Sequence, residues 1–212
     1  MKLLTTAALV LAATTSAWAD TPVTLTFEGA TGYANAIANF YNGGTDSVGN
    51  VGPNLGVSFT DAALGLSNDS DFSYYSNAPT AGSVLFAYDA SATMNVVDGF
   101  SGQLTFYYAS DRSVLDAVNI YAGLNSTGTL LASVSLFGNA SLGCSDTGFC
   151  RFDLTSVKFA GVAHSVNFGG NAQNVAYDNI GLNISAVPEP ESYVLLAAGL
   201  LAVAFVKRRQ RD

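Results

Sequence analysis

The chain has 212 residues, only 11% of them Asp, Glu, Lys or Arg, and a net charge of −8. Thirteen Phe and ten Tyr provide enough large apolar surface for a packed core, which excludes a disordered polymer. Between Asp20 and Val187, thirteen acids face only Arg112, Arg151 and Lys158, so phosphate backbones are repelled and nucleic acid is excluded as a partner.

Residues 1–19 read as a secretory signal peptide. Lys2 is the positive start, Leu3 to Ala13 the apolar stretch, and Ala17-Trp18-Ala19 a small-x-small cleavage site. Cleavage after Ala19 leaves Asp20 at the head of the mature chain, in a compartment that permits disulfides.

Residues 20–185 then show short runs rich in β-branched and aromatic residues, broken by Gly, Asn, Asp and Ser. "VTLTFE" comes first, with Val23, Leu25 and Phe27 on one face. It is followed by "GVSF", "SVLFAY", "QLTFYY", "AVNIYAG", "TLLASVSLF", "RFDL", "HSVNF" and "NVAYDNIGLNI". So many short strands in one domain predict an all-β fold, a single jelly-roll-like β-sandwich. Only Tyr33 to Tyr41, "YANAIANFY", reads as helical.

Four features of this domain bear on function. Cys144 and Cys150, in "CSDTGFC", read as a disulfide closing a small loop, since no further Cys or His stands nearby to complete a metal site. Tyr74 and Tyr75, in "DFSYYSNAP", either stack on sugar rings as a ligand platform or pack the sandwich. Asp178 alternates with Ala176, Ile180, Leu182 and Ile184, which predicts a shared core face, and a buried carboxylate needs a cation or strong donors. With bases so scarce, a structural calcium is one answer and hydrogen bonds at a strand end the other. Many jelly-roll carbohydrate-binding modules resemble the first arrangement, with calcium shared by an acid ending the first strand and an Asp in the last. Glu28 and Asp178 match those places in chain order. Asn68, Asp69 and Asp71 form a second, weaker ligand loop.

Catalytic signatures are scarce. His164 stands alone on an expected strand, and no G-x-S-x-G elbow, H-E-x-x-H, Walker loop or G-x-G-x-x-G occurs. Glycoside hydrolysis requires only two placed carboxylates, yet most acids here sit in turn contexts. The expectation is therefore no enzyme, with a secreted carbohydrate-active enzyme as the alternative.

Residues 186–212 end the chain. Val187-Pro188-Glu189-Pro190 cannot continue a helix, because proline fixes φ and pushes its predecessor toward extended conformations. An uncharged run from Tyr193 to Val206 follows, then Lys207, Arg208, Arg209 and Arg211 as a basic membrane stop. The run is short for a full bilayer crossing of about 20 residues, but suits a thinned membrane with snorkelling bases. This order of Pro-Glu-Pro, apolar segment and basic end resembles the PEP-CTERM sorting signal of Gram-negative, exopolysaccharide-producing bacteria. "FYNGGT", "GVSF" and "YDNIGL" loosely resemble stretches of exported domains in such proteins. The resemblance implies recognition by an exosortase, transient anchoring in the inner membrane, and cleavage near the motif. The expected protein works at the cell surface or in the extracellular matrix, in a structural or adhesive role in biofilm. Extracellular polysaccharide is its expected partner. A tail that is never cut remains a further alternative.

Overall fold

The computed structural model describes residues 20–184, in which all the regular structure but one short 3-10 turn is β-strand. The signal peptide with Ala19, the motif Val187-Pro188-Glu189-Pro190, the apolar run and the basic stop Lys207, Arg208, Arg209 and Arg211 all lie outside the described residues. Among the described residues no helix is long and apolar enough to cross a membrane. Asp20 is exposed and its carboxylate accepts a hydrogen bond from Ser101 Oγ at 2.9 Å.

Ten strands are antiparallel wherever they pair. They are β1 (Thr21–Leu25), β2 (Asn35–Ala36), β3 (Val57–Phe59), β4 (Ala63–Leu66), β5 (Val84–Ala87), β6 (Thr93–Ser110), β7 (Val114–Tyr121), β8 (Leu130–Leu136), β9 (Asp153–Asn167) and β10 (Val175–Ile184). The expected sandwich is built as one hydrogen-bonded network folded over on itself, because β6 and β9 run through both layers. The first halves of the layers meet where Thr93 to Asn95 of β6 pairs with β3 and with the end of β9. Past a bulge, Phe100 to Tyr108 pairs with β10 and with the start of β9. Gly99 makes the turn, with φ +77°, and a Cβ there would collide with Val162. Only glycine meets both demands.

The sequence reading divided these long strands. "RFDL" and "HSVNF" are the two ends of β9, and Thr93 to Asp98, outside the runs read as strands, is the first part of β6. The helix expected at Tyr33 to Tyr41 is absent: the segment holds β2 and turns. Ala34 and Ala38 have positive φ, and Ile37 donates its N–H to Ala63 O rather than along a helix. Burial of Ile37, Phe40 and Tyr41 in the core decides this, since tertiary packing overrides the modest helix preference of alanine.

One large core lies between the layers. Phe27 meets Phe59 edge-on at 6.2 Å, and Phe106 packs against Phe168 and Tyr177 at 6.1 and 5.6 Å. A second, smaller cluster of Tyr75, Val84 and Ala176 lies on the opposite face of β10 and β5, with Phe149 and Phe152 against it. β1 pairs with β10 from Thr21↔Ile184 to Leu25↔Ile180, so both ends of the described chain lie on one ladder.

Candidate functional site

A groove lies on the outer face of β4 and β5. Leu64 and Leu66 alternate outward from Ala63 and Gly65, and Leu64 stands opposite Phe86 on β5. All three are half-buried. Around them stand Tyr33, Tyr74, Tyr88 and Phe149, with Gln173 as the polar side chain, and together they enclose a groove of about 690 Å³. Tyr33 is 67% exposed and Tyr88 55%, and Tyr33 lies 5.5 Å from Tyr74 at a 32° tilt. Phe72, 62% exposed, stacks on Tyr74 at 6.0 Å. Exposed aromatic rings cost hydration free energy and are kept where a partner covers them. The Tyr74 hydroxyl is pushed above its ordinary pKa, first by desolvation and then by Tyr33 and Asp69 beside it.

Of the two tyrosines read either as a ligand platform or as packing, Tyr74 lines the groove and Tyr75 does not. Tyr75 is buried, donates its hydroxyl to Gly82 O at 2.9 Å, and meets Phe152 edge-on. Burial pushes its pKa up to about 12. Its ring is packing. The neighbouring Asn68 and Asp69 hold the backbone of the turn. Asn68 Oδ1 accepts the N–H groups of Tyr74 and Tyr75, and Asp69 Oδ1 those of Asp71 and Phe72. Sequence reasoning missed Tyr33, Tyr88 and Phe149, because each lies far along the chain from Tyr74 and nothing local marks it as exposed.

Glu28 lies near enough to Asp178 for its charge to act on that carboxyl, which the structure places differently from the alternation. Asp178 does not share a face with Ile180. Asn179 has φ +48°, and the β10–β6 register shifts between Asp178 and Gly181. The bulge reverses the alternation, so Val175 and Tyr177 face the large core before it, and Ile180 and Leu182 after it. Asp178 therefore points with Ala176 to the other face, where the segment carrying Thr80 covers it completely. Its carboxylate accepts the N–H groups of Thr80 at 3.0 Å and Asn179 at 2.7 Å. Desolvation, with a smaller push from the charge of Glu28, still raises its pKa to about 6. The Glu28 carboxylate lies against Gly82, where an added Cβ would sit 2.5 Å from Oε2.

Thr80 Oγ1 is the centre of this cluster. It lies 3.0 Å from both Asp178 oxygens, 3.2 Å from Thr26 O and 3.2 Å from Asn179 Oδ1. A hydroxyl has one proton, so at most one of these four contacts is its own hydrogen bond. The remaining close oxygens call for a proton on Asp178, the Asn179 amide NH2 turned toward Thr80, or a hard cation.

The expected disulfide is present between Cys144 and Cys150. Asp146 lies close to it, but bonded sulfurs are not metal-binding thiolates. His164 Nδ1 sits 3.2 and 3.1 Å from the carbonyls of Val96 and Val97, a strand histidine bonded to backbone.

Residues 186–209 match the PEP-CTERM protein-sorting motif, so the chain carries the sorting signal of an exported protein processed by an exosortase. No curated protein matches the chain. Among solved structures it is similar to the K2 cleaved adhesin domain of Lys-gingipain, at 16% identity, covering 77% of this chain and 98% of that one, with a TM-score of 0.45. It is also similar to a family 6 carbohydrate-binding module at 17% identity, covering 59% and 85%, with a TM-score of 0.39. A family 6 module from Clostridium stercorarium in complex with cellobiose shows 15% identity, 57% and 78% coverage, and a TM-score of 0.33. These scores are too low to carry an inference of function.

Proposed function

We propose that this exported carrier of the PEP-CTERM motif is a non-enzymatic surface or matrix protein that binds a neutral glycan in the Tyr33–Tyr74 groove. Four aromatic rings around an apolar floor support the reading, because sugar rings present C–H faces that stack on tyrosine while their hydroxyls reach polar edges such as Gln173. The groove volume of about 690 Å³ falls within the usual range for ligand clefts. No charged side chain lines it, and the whole domain is acidic, which disfavours polymers rich in uronic acids.

Binding is favoured over hydrolysis for a local reason. A glycosidase needs two carboxylates flanking the bond to be cut, and none lines the groove. Asp178, the acid with the pKa best suited to proton transfer, lies buried beneath Thr80. The anchor is transient: Tyr193 to Val206 holds the chain in the inner membrane, the Pro188-Glu189-Pro190 region is cut by the exosortase, and the domain reaches the surface or the polysaccharide matrix. An affinity panel tests the groove. Wild type should bind neutral β- or α-glucans without releasing reducing sugar, and a Tyr33→Ala/Tyr74→Ala variant should bind at least about tenfold more weakly with an unchanged melting curve. Reducing-sugar release would turn the assignment to the enzyme alternative.

The cofactor suited to the Asp178 cluster is a calcium ion. Asp178, Glu28, Thr80 Oγ1, Thr26 O and Asn179 Oδ1 are hard oxygen donors, and calcium takes about six to eight of these. Held there, it would keep Asp178 ionised and would tie the Thr80 segment to β10. A chelator should lower the melting temperature of wild type and leave an Asp178→Asn variant unchanged; no shift in either would remove calcium from the account.

A further inference from the structure

The loop closed by Cys144 and Cys150 is short, with a sequence separation of 6, and it borders the groove through Gly148 and Phe149. No strand ladder holds it. Residues 141–149 contain only turns, bends and one bridge, Tyr75↔Phe149. That bridge is the seam between the loop and the segment that carries Tyr74. Ser76 N–H donates to Phe149 O at 3.0 Å, Asn77 Nδ2 to Cys150 O at 3.0 Å, and the Ser76 and Thr147 hydroxyls meet at 3.1 Å. On its other side, Cys150 and Arg151 both donate their N–H groups to Ala140 O. Phe149 is thus held at one end by the disulfide and along one edge by backbone bonds to the Tyr74 segment.

We propose that the Cys144–Cys150 bridge is a positioning element of the groove, holding Phe149 in the wall, so that the groove is complete only once the bridge has formed. This rests on the glycan-binding reading and adds a regulation to it. Thiols stay reduced in a bacterial cytoplasm and pair after export, so the precursor crosses the membrane with an unfinished groove and gains binding outside. Fold and binding are separable because the loop contributes little to the large core, which contains neither cysteine. Without the cross-link no strand ladder restrains residues 141–148, so the loop regains the conformations that closure removed.

The test compares exported wild-type protein with a Cys144→Ser/Cys150→Ser variant, reading retention on a neutral glucan gel and amide hydrogen exchange. The variant should keep protected amides in β6, β9 and β10, lose protection at the Ser76 amide, and bind about tenfold or more weakly. Should the variant not fold, wild type treated with dithiothreitol gives the same readouts. Two electrons and two protons pass from its thiols to the bridge, leaving Cys144 and Cys150 as thiols and the reagent as a cyclic disulfide. Unchanged Ser76 protection, or affinity within about twofold of wild type, overturns the proposal. Absence of binding by wild type itself would instead overturn the glycan reading, and the bridge would then be judged on Ser76 alone.

Discussion

Adjacent side chains in extended backbone point opposite ways, and at Tyr74 and Tyr75 this parts a groove-lining ring from a packing ring. Truncation should therefore divide the pair. Tyr75→Ala removes a buried ring and its bond to Gly82, and should cost about 3–5 kcal/mol in urea unfolding, whereas Tyr74→Ala should leave stability within about 0.5 kcal/mol and weaken only binding. Asp178 sets a pH dependence. Its folded pKa of about 6 exceeds the unfolded value of about 3.9, so between these pH values the folded state keeps a proton that the unfolded state has lost. Its contribution is most favourable below pH 4 and declines as pH rises through 6, by about 3 kcal/mol in all. In chelator, wild type should lose that much stability relative to Asp178→Asn between pH 4 and 7, and added calcium should flatten the difference. A constant difference without calcium would show that the carboxylate ionises freely in its folded setting. The sequence made Asp178 conspicuous as an acid among apolar residues, but not the reason for its burial, because a single bulge residue, Asn179, sets which face it takes.

Among the elements, the two long strands do most to shape the domain. β6 and β9 each turn from one layer into the other, and the turn in β6 depends on Gly99, which combines a positive φ with the near approach of Val162. Gly99→Ala should destabilise by about 1–2 kcal/mol from the backbone alone, and more from the collision, measurable as a lower urea midpoint with an unchanged slope. A tolerated alanine would mean that the bend lies elsewhere. The strands called from alternation were real, and their joins were what local pattern missed. "VVDGF" carries the Asp-Gly pair that ordinarily marks a turn, yet here the pair is a bulge inside a continuous strand. Tyr33 to Tyr41 failed in the other direction. Its alanines favour helix, but Ile37, Phe40 and Tyr41 reach the core only if the backbone turns repeatedly, with Ala34 and Ala38 at positive φ.

At the scale of the whole molecule, charge and processing dominate. The domain from Asp20 to Val187 carries thirteen acids against three bases, two of which, Arg112 and Arg151, pair with Asp111 and Asp153. Binding in an uncharged groove should thus be nearly insensitive to salt, and a steep salt dependence in glycan retention would point to a different surface. Intact-mass measurement of the exported form should find Asp20 at its start and no Lys207, Arg208, Arg209 or Arg211 at its end. Retention of the basic cluster would favour a permanent anchor. The sequence by itself determined the sorting signal and the all-β class. A Pro-Glu-Pro segment, an apolar run, a basic stop and strand alternation are local patterns, each complete within a few tens of residues. Only the tertiary structure decided the groove, the face of Asp178 and the place of the disulfide loop beside the groove. Tyr33, Leu64, Tyr74, Phe86 and Phe149 belong to separate stretches of chain, and they meet because burying the core of a folded sheet leaves their side chains together on its outer face.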